Sequence, residues 1–372
     1  MLTKEFVEGI RYRQLPRPLV VDIKMLQGIV ALLCSLQLAM PANAACKIAQ
    51  IAELHVRLAA NTPIMDGEIN GQSVQVELNT GGYRTFIGGE TARRLHLPLR
   101  QYTDERAYGV GGPVPILTAV VNELKLGQFT AHDVRLAVLD TVHNDPYEGT
   151  ELALGADFFA KFTTEFDLTH GVVRLLLPDG CQSGQLVYWD KAYSMTDIEA
   201  PGVNDPRFHT NVSINGKRLR ALLDTGASVS HISLQAAESV GVTPGGNGTT
   251  PATAITGIAG KPIESWIGQF DTFAIGNEMI RNAKLRISNM YANNRIEITG
   301  SHIPVQISGA DMIIGADFLM AHRVLISPQT RKMVFTYTGG PVFQLLRADE
   351  QPEAAQGGER GSPPAEPPAS SP

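Results

Sequence analysis

The sequence predicts an all-β protein built from two homologous lobes with a few short helices. Its 372 residues include 36 Gly and 23 Pro, which separate many short runs of Val, Ile, Leu and Thr. This pattern indicates short strands joined by turns. One ordered set of sequence blocks also occurs twice along the chain. Strands do not alternate with long helices, which disfavours a doubly wound parallel sheet.

The repeat consists of four blocks in the same order. Residues 69–82 return as residues 214–227, an offset of 145, and the last block is offset by 160. The other pairs are 108–112 with 256–260, 126–128 with 275–277, and 154–158 with 314–318. Because the offset only grows, the second copy has gained loop residues, most of them between Ile287 and Ala310. We therefore predict a first lobe over 48–182, a linker over 183–197 and a second lobe over 198–345.

Short signals predict the elements inside each lobe. Asn-Gly pairs at 70–71 and 215–216 lie between two strand-like runs, the strongest local signal for a β-hairpin. Residues 88–95 and 233–240 each indicate one short helix, the second with Ser233 as its N-cap.

The N-terminal segment has the pattern of a secretory signal peptide over residues 1–44. The apolar run 28–38 is short for a membrane span and is followed by Ala42-Asn43-Ala44, with small residues at the −3 and −1 positions. We expect cleavage after Ala44 and an exported protein, periplasmic or secreted, with membrane attachment only if the segment stays uncleaved. Translation from Met1 or from Met25, and a buried core helix in place of a signal, stay open.

The C-terminal segment, residues 348–372, is rich in Pro, Gly and acidic residues and contains no aliphatic side chain larger than Ala. Such a segment cannot bury enough apolar surface to offset the entropy lost on ordering, so we predict a disordered tail.

Charge and cysteine usage exclude several classes of function. A net charge of −6 argues against nucleic-acid binding, which normally requires a basic face. The His residues lack metal-site spacing, and the three Cys residues form no C-x-x-C pair. After signal cleavage only Cys46 and Cys181 remain, and they form either a disulfide in an oxidising compartment or two buried thiols.

The second copy carries three elements in a characteristic order. Asp224-Thr225-Gly226 follows a hydrophobic strand, a Gly-rich hairpin spans 255–260, and Met312-Ile313-Ile314-Gly315 leads into a short helix. Together, and doubled in one chain, these elements resemble the retropepsin-like and pepsin-like aspartic peptidases over roughly residues 60–340.

The resemblance implies two small β-barrel-like lobes that face each other across a cleft for an extended peptide or protein substrate. It implies that Asp224 is the catalytic carboxylate, that Thr225 bonds across the lobe interface, and that Gly226 lets the backbone turn close to the site. It also implies a flap that closes over the substrate, formed by Thr256, Gly257, Ile258, Ala259 and Gly260. No cofactor or metal is implied, because paired carboxylates and a water suffice.

The first copy departs from this pattern. Asn79, followed by Thr80 and Gly81, stands where the family places its second Asp. An amide cannot exchange acid and base roles, so a site built on Asn79 and Asp224 is expected to be impaired. Two alternatives follow: the second lobes of two chains pair as a homodimer with an Asp224 dyad, or the protein binds peptides without cutting them, as a regulatory module.

A second acidic pair occurs at Asp157 and Asp317, each after Gly-Ala and before a predicted short helix. We expect both to be structural, either as helix N-caps or as partners of an arginine.

Overall fold

The computed structural model describes residues 46–100, 106–109, 112–139, 150–202, 205–257, 260–291, 295–297, 304–306 and 309–343. The predicted signal peptide over 1–44, the predicted tail over 348–372, and Ile258 and Ala259 of the predicted flap lie outside these residues. Within the described ranges, no helix has the length and apolar character needed to cross a membrane.

The first repeat forms one eight-stranded sheet with the order β2-β3-β4-β9-β5-β8-β7-β6. Its strands are β2 (Arg57–Ala59), β3 (Thr62–Ile69), β4 (Gln72–Leu78), β5 (Phe86–Gly88), β6 (Arg106–Gly109), β7 (Gly112–Leu126), β8 (Phe129–Leu139) and β9 (Leu152–Leu154). An additional pairing of β3 with β7 curls the sheet onto itself. Two short helices accompany it, α1 (Gly89–Arg94) and α2 (Ala156–Phe159).

The second repeat forms a seven-stranded sheet with the matching order β13-β14-β21-β15-β18-β17-β16 and the matching extra pairing of β13 with β17. Its strands are β13 (His209–Ile214), β14 (Lys217–Leu223), β15 (His231–Ser233), β16 (Thr249–Ile255), β17 (Ile263–Ile275), β18 (Glu278–Ser288) and β21 (Met312–Ile314). Its helices are α3 (Leu234–Ser239) and α4 (Ala316–Ala321). The extra residues of this copy include a small hairpin of β19 (Arg295–Glu297) and β20 (Pro304–Gln306). The fold is therefore all-β and two-lobed, as the sequence predicts.

A six-stranded sheet joins the two repeats, with the order β1-β11-β10-β22-β23-β12. Its strands are β1 (Lys47–His55), β10 (Thr163–Asp167), β11 (Val172–Asp179), β12 (Ser194–Asp197), β22 (His322–Ser327) and β23 (Lys332–Tyr337). Each repeat contributes three strands, two from its end and one from the segment before it. Formation of this sheet therefore fixes the two lobes against each other. A disulfide between Cys46 and Cys181 ties the start of β1 to the end of β11, so of the two states that the sequence leaves open for these cysteines, the disulfide is the one present.

Local sequence explains the turns and helices. Asn70 and Gly71 both have positive φ, as do Asn215 and Gly216, so each Asn-Gly pair makes the tight hairpin turn that these residues favour. Ser233 caps α3, because its hydroxyl accepts a hydrogen bond from Ala236 N at 3.2 Å. Both signals were visible in the sequence, and both predictions are confirmed.

Candidate active site at the lobe interface

Two equivalent loops, one from each repeat, meet where the lobes face each other. Asp224 directly follows β14, and its backbone N–H donates to Ile314 O at 2.9 Å. Asn79 directly follows β4, and its N–H donates to Leu154 O at the same distance. In each lobe the strand that leads into the loop pairs in parallel with a short buried strand. These pairs are β14 with β21 and β4 with β9, and they hold each loop at the end of its sheet.

The two threonines after these residues lock the loops together. Thr80 N donates to Thr225 Oγ1 at 3.0 Å, and Thr225 N donates to Thr80 Oγ1 at 3.1 Å. Each hydroxyl then donates to a carbonyl of the opposite strand, Thr80 to Leu223 O at 2.9 Å and Thr225 to Leu78 O. Both threonines are fully buried. The cross-lobe bond expected of Thr225 is thus present, and Thr80 mirrors it.

The glycines of both loops bring the lobes into close contact. A Cβ atom on Gly81 would overlap the carboxyl group of Asp224, and a Cβ atom on Gly226 would overlap the amide of Asn79. Each polar side chain therefore lies over the glycine of the opposite lobe. A Cβ atom at either glycine would therefore require the opposing side chain, or the loop that carries it, to shift.

The environment of Asp224 mixes burial with several hydrogen-bond donors. Its side chain is half-buried, and burial raises the pKa of this carboxyl above its ordinary value. The Gly226 N–H, which donates to Oδ1 at 2.9 Å, opposes the rise in pKa, as do Arg207 and the backbone N–H groups of Ala227 and Gly81. Donors from both lobes thus surround one carboxylate, an arrangement suited to holding negative charge next to a bound water.

Arg207 is a site residue that the sequence did not single out. Its guanidinium lies near Asp224 and is held by Asp205, with Nε to Oδ1 at 2.7 Å and Nη2 to Oδ2 at 2.9 Å. No sequence motif marks it, because it lies in an irregular segment before β13.

Asp157 and Asp317 each accept a hydrogen bond from a hydroxyl group near one of these loops, which differs from the roles predicted for them. Asp317 accepts hydrogen bonds from Ser230 N at 2.9 Å and Ser230 Oγ at 2.7 Å, and burial raises its pKa to about 6. Asp157 accepts from Thr85 Oγ1 at 2.8 Å.

The expected roles of this pair as N-caps or arginine partners are wrong. The N-cap positions belong to Gly155 and Gly315, and among the described residues no arginine pairs with either aspartate. Gly315 N donates to Ser230 Oγ at 2.9 Å, and a Cβ atom on Gly315 would come within 2.6 Å of Val229 C, so this glycine lets the strand pack directly on the loop. Each aspartate therefore holds a loop hydroxyl, which in turn holds the glycine before the helix.

The described residues of the predicted flap have no hydrogen bond to these two loops. Thr256 is exposed and Gly257 and Gly260 are half-buried between β16 and β17. Gly260 N donates to Gly257 O at 2.8 Å and closes the hairpin turn. Among the residues that the structure describes, no hydrogen bond connects them to Asp224 or Asn79.

A second carboxyl group lies beside Asn79 and was missed by the sequence reasoning. Asn79 Nδ2 donates to Glu77 Oε1 at 2.9 Å, and Glu77 is only 4% exposed. The available signal was the alternation of strand side chains, because residues two apart on β4 share one face. The equivalent residue of the second repeat is the apolar Leu222.

The sheet faces that carry Asp224 and Asn79 differ in polarity away from the loops. In the first lobe this face forms an apolar cluster, with members Phe86, Ala107, Val114, Ile116, Ala137, Leu139 and Ala153. In the second lobe the residue equivalent to Ala137 is Arg286, which is 5% exposed. Its Nη1 donates to Thr253 O and to Ser265 Oγ, each at 2.8 Å, and its Nε has no partner among the described residues.

No group of three or more His, Cys, Asp or Glu side chains in the described ranges is arranged to hold a metal ion. The polar groups that the described residues bring to the interface are Asp224, Glu77, the Asn79 amide and the surrounding N–H donors.

Two comparisons with known proteins give matches. A family model described as aspartyl protease matches residues 65–158 and 210–318, one segment in each repeat and together more than half of the chain. Among solved structures, a retropepsin-like aspartic protease from Rickettsia conorii is similar at 15% sequence identity and a TM-score of 0.26. That similarity covers 36% of this chain and 96% of the other. No curated protein matches the chain.

Proposed function

The chain belongs to the aspartyl protease family, and from this premise we propose that it is an endopeptidase in which Asp224 activates the attacking water. The observation that carries the proposal is the position of this carboxyl. It lies at the lobe interface, it is surrounded by N–H donors from both lobes, and it is half-buried. A carboxylate so held can accept a proton from a bound water and keep the resulting hydroxide aligned.

The first chemical step follows from these contacts. Asp224 takes a proton from the water, and the water oxygen bonds to the carbon of the scissile peptide. The Asn79 amide, opposite Asp224, has N–H groups that can donate a hydrogen bond to the substrate oxygen but no proton to transfer. Asn79 therefore positions the substrate and stabilises its oxygen through a hydrogen bond, while Asp224 acts as the base.

Pairing within one chain supports this site over a homodimer through the second lobe. The four hydrogen bonds of Thr80 and Thr225 are already made between the two lobes. A dimer that paired two second lobes would have to give up these bonds and the six-stranded sheet of its own chain. Linked lobes also have a high effective concentration for each other.

The alternative function is peptide binding without cleavage, as a binding or regulatory module. The observation that favours it is Asn79, because an amide in place of the second aspartate removes one titratable group from the family's pattern. The two functions make opposite predictions about turnover.

The test is a digest of a peptide library with purified residues 45–372, run beside Asp224→Asn. We expect cleavage by the wild type and a loss of at least ~10²-fold in Asp224→Asn, because a general base is removed. Cleavage that survives in Asp224→Asn would refute the proposal. Library peptides that bind to both proteins without being cut would establish the alternative.

We also propose export through the N-terminal segment. The Cys46–Cys181 disulfide supports it, since structural disulfides persist mainly in oxidising compartments. N-terminal sequencing of the exported fraction should find Ala45 as the first residue; an intact Met1 or Met25 there would refute cleavage.

A further inference from the structure

We propose that Glu77 supplies the second titratable carboxyl of the site, in place of the one that Asn79 lacks. The inference rests on the proposed peptidase function and names the group that would hold the proton. Glu77 lies outside the two loops that carry Asp224 and Asn79, on the strand β4 that leads into the Asn79 loop.

The geometry places Glu77 in the lobe interface, next to a glycine of the second lobe. Its Oε1 accepts from Asn79 Nδ2 at 2.9 Å, and a Cβ atom on Gly226 would lie 2.6 Å from the same oxygen. Gly226 N meanwhile donates to Asp224 Oδ1 at 2.9 Å. The two carboxyl groups therefore approach one glycine of the second lobe, Glu77 from the first lobe and Asp224 from within the loop.

Glu77 lacks the partners that make other buried acids structural. Glu165, fully buried in the six-stranded sheet, binds the guanidinium groups of Arg174 and Arg323. For Glu77, the Asn79 amide is the single hydrogen-bond donor, and no cation pairs with it, among the described residues. An unpaired buried carboxylate is costly, so the group is expected to keep its proton.

The electrostatic surroundings of Glu77 also favour its protonated form. Burial, and after it the charge of Asp224, raise the pKa of Glu77 to about 8, against the opposing effect of the Asn79 hydrogen bond. The adjacent strands place the apolar residues Ile64 and Ala153 beside Glu77.

Among the residues that the structure describes, the other ionisable groups that interact with Asp224 lie on the second lobe's side. They are Arg207, which is bound to Asp205, and Tyr291, whose pKa is raised to about 12 by burial. We expect the two carboxyls to share one proton and Glu77 to hold it, because Asp224 accepts hydrogen bonds from backbone N–H groups of both lobes, whereas Glu77 accepts from the Asn79 amide alone among the described residues.

This proton completes a balanced reaction. As Asp224 takes a proton from the water and the C–O bond forms, the carbonyl oxygen takes the proton of Glu77 and a gem-diol results. When the C–N bond breaks, the proton on Asp224 passes to the leaving amine. One gem-diol hydroxyl returns its proton to Glu77 as the product carbonyl re-forms, and both carboxyls regain their starting states.

The first test is Glu77→Gln, which keeps the shape and the oxygen that accepts from Asn79. The matched control is Glu68→Gln, a partly exposed residue on the neighbouring strand β3. We expect kcat to fall by ~10²–10⁴-fold in Glu77→Gln, since an acid is removed, and to stay unchanged in the control. In the wild type, activity should decline as the pH rises through about 8, where Glu77 loses its proton.

The double variant Glu77→Gln/Asn79→Asp separates a chemical role from a structural one. A carboxyl restored at position 79 should raise kcat at least tenfold above that of Glu77→Gln, and the pH profile of activity should move toward acid. An unchanged kcat in Glu77→Gln, or no recovery in the double variant with its fold intact, would overturn the inference. The peptidase proposal itself fails only if cleavage is absent or independent of Asp224, so the two failures are distinguishable.

A second test needs no cleavage. Since the folded-state pKa of Glu77 lies above its ordinary 4.5, the native state binds this proton more tightly than the unfolded state, and stability falls as the pH rises from about 4.5 to 8. The Tm of Glu77→Gln should match the wild type near pH 5 and exceed it at pH 8, and Asp224→Asn should shrink that difference. Glu77→Leu, which copies Leu222 of the second repeat, serves if the Gln variant does not fold. A Tm difference independent of pH would overturn the inference.

Discussion

Replacing Thr225 with valine tests whether the two lobes are held in register by the paired threonine bonds. Valine has nearly the same shape as threonine but lacks the hydroxyl. The variant therefore keeps the packing of the loop and removes one acceptor and one donor. The acceptor serves Thr80 N, and the donor serves Leu78 O.

The magnitude follows from the groups left behind. Thr80 N–H and Leu78 C=O lose their partners in a fully buried interface. A buried polar group without a partner costs ~1–3 kcal/mol. Two such groups lower the free energy of unfolding by about 2–6 kcal/mol if the lobes stay together. If water enters instead, the loss is smaller but Asp224 loses its alignment with Asn79.

The assay is equilibrium urea unfolding together with peptide cleavage. Thr80→Val, the equivalent change in the other lobe, should give a loss of similar size, since its hydroxyl bonds to Thr225 N and Leu223 O. Thr130→Val, an exposed position on β8, is the control and should stay within ~0.5 kcal/mol of the wild type. The reasoning would be refuted if the free energies of unfolding of both interface variants lay as close to the wild type as that of the control, with cleavage unchanged.

Three further predictions use the same measurements. Glu165→Gln should lower the free energy of unfolding by ~3–5 kcal/mol, because it leaves Arg174 and Arg323 without their buried carboxylate; a loss below ~1 kcal/mol in urea unfolding would contradict this. Reducing the Cys46–Cys181 disulfide, which closes a separation of 135 residues, should lower stability by ~2–5 kcal/mol, and an unchanged Tm in reducing agent would count against it. Gly81→Ala should reduce cleavage by at least ~10²-fold, because its Cβ overlaps the Asp224 carboxyl; full activity in a steady-state assay would show that the loops can move apart freely.

The sequence alone was sufficient for the features that depend on short stretches of chain. The Asn-Gly turns, the helix that Ser233 caps and the order of the repeated blocks are local features, and a short stretch of sequence is enough to predict each of them. The position of Asp224 at a turn after a hydrophobic strand is local as well. Repetition then implied that Asn79 would face it, because two copies of one fold place equivalent loops at equivalent positions.

The roles of Asp157, Asp317 and Glu77 depended on contacts between distant segments. Asp317 binds Ser230, 87 residues away, so reading it beside its own helix suggested an N-cap that is not there. Glu77 appeared to be one polar residue in a strand. Its significance depends on Gly226 of the other lobe, which lies next to it only after the six-stranded sheet and the threonine bonds have closed. The pKa of a buried carboxyl is set by what surrounds it in three dimensions, and a linear pattern of residues does not contain those neighbours.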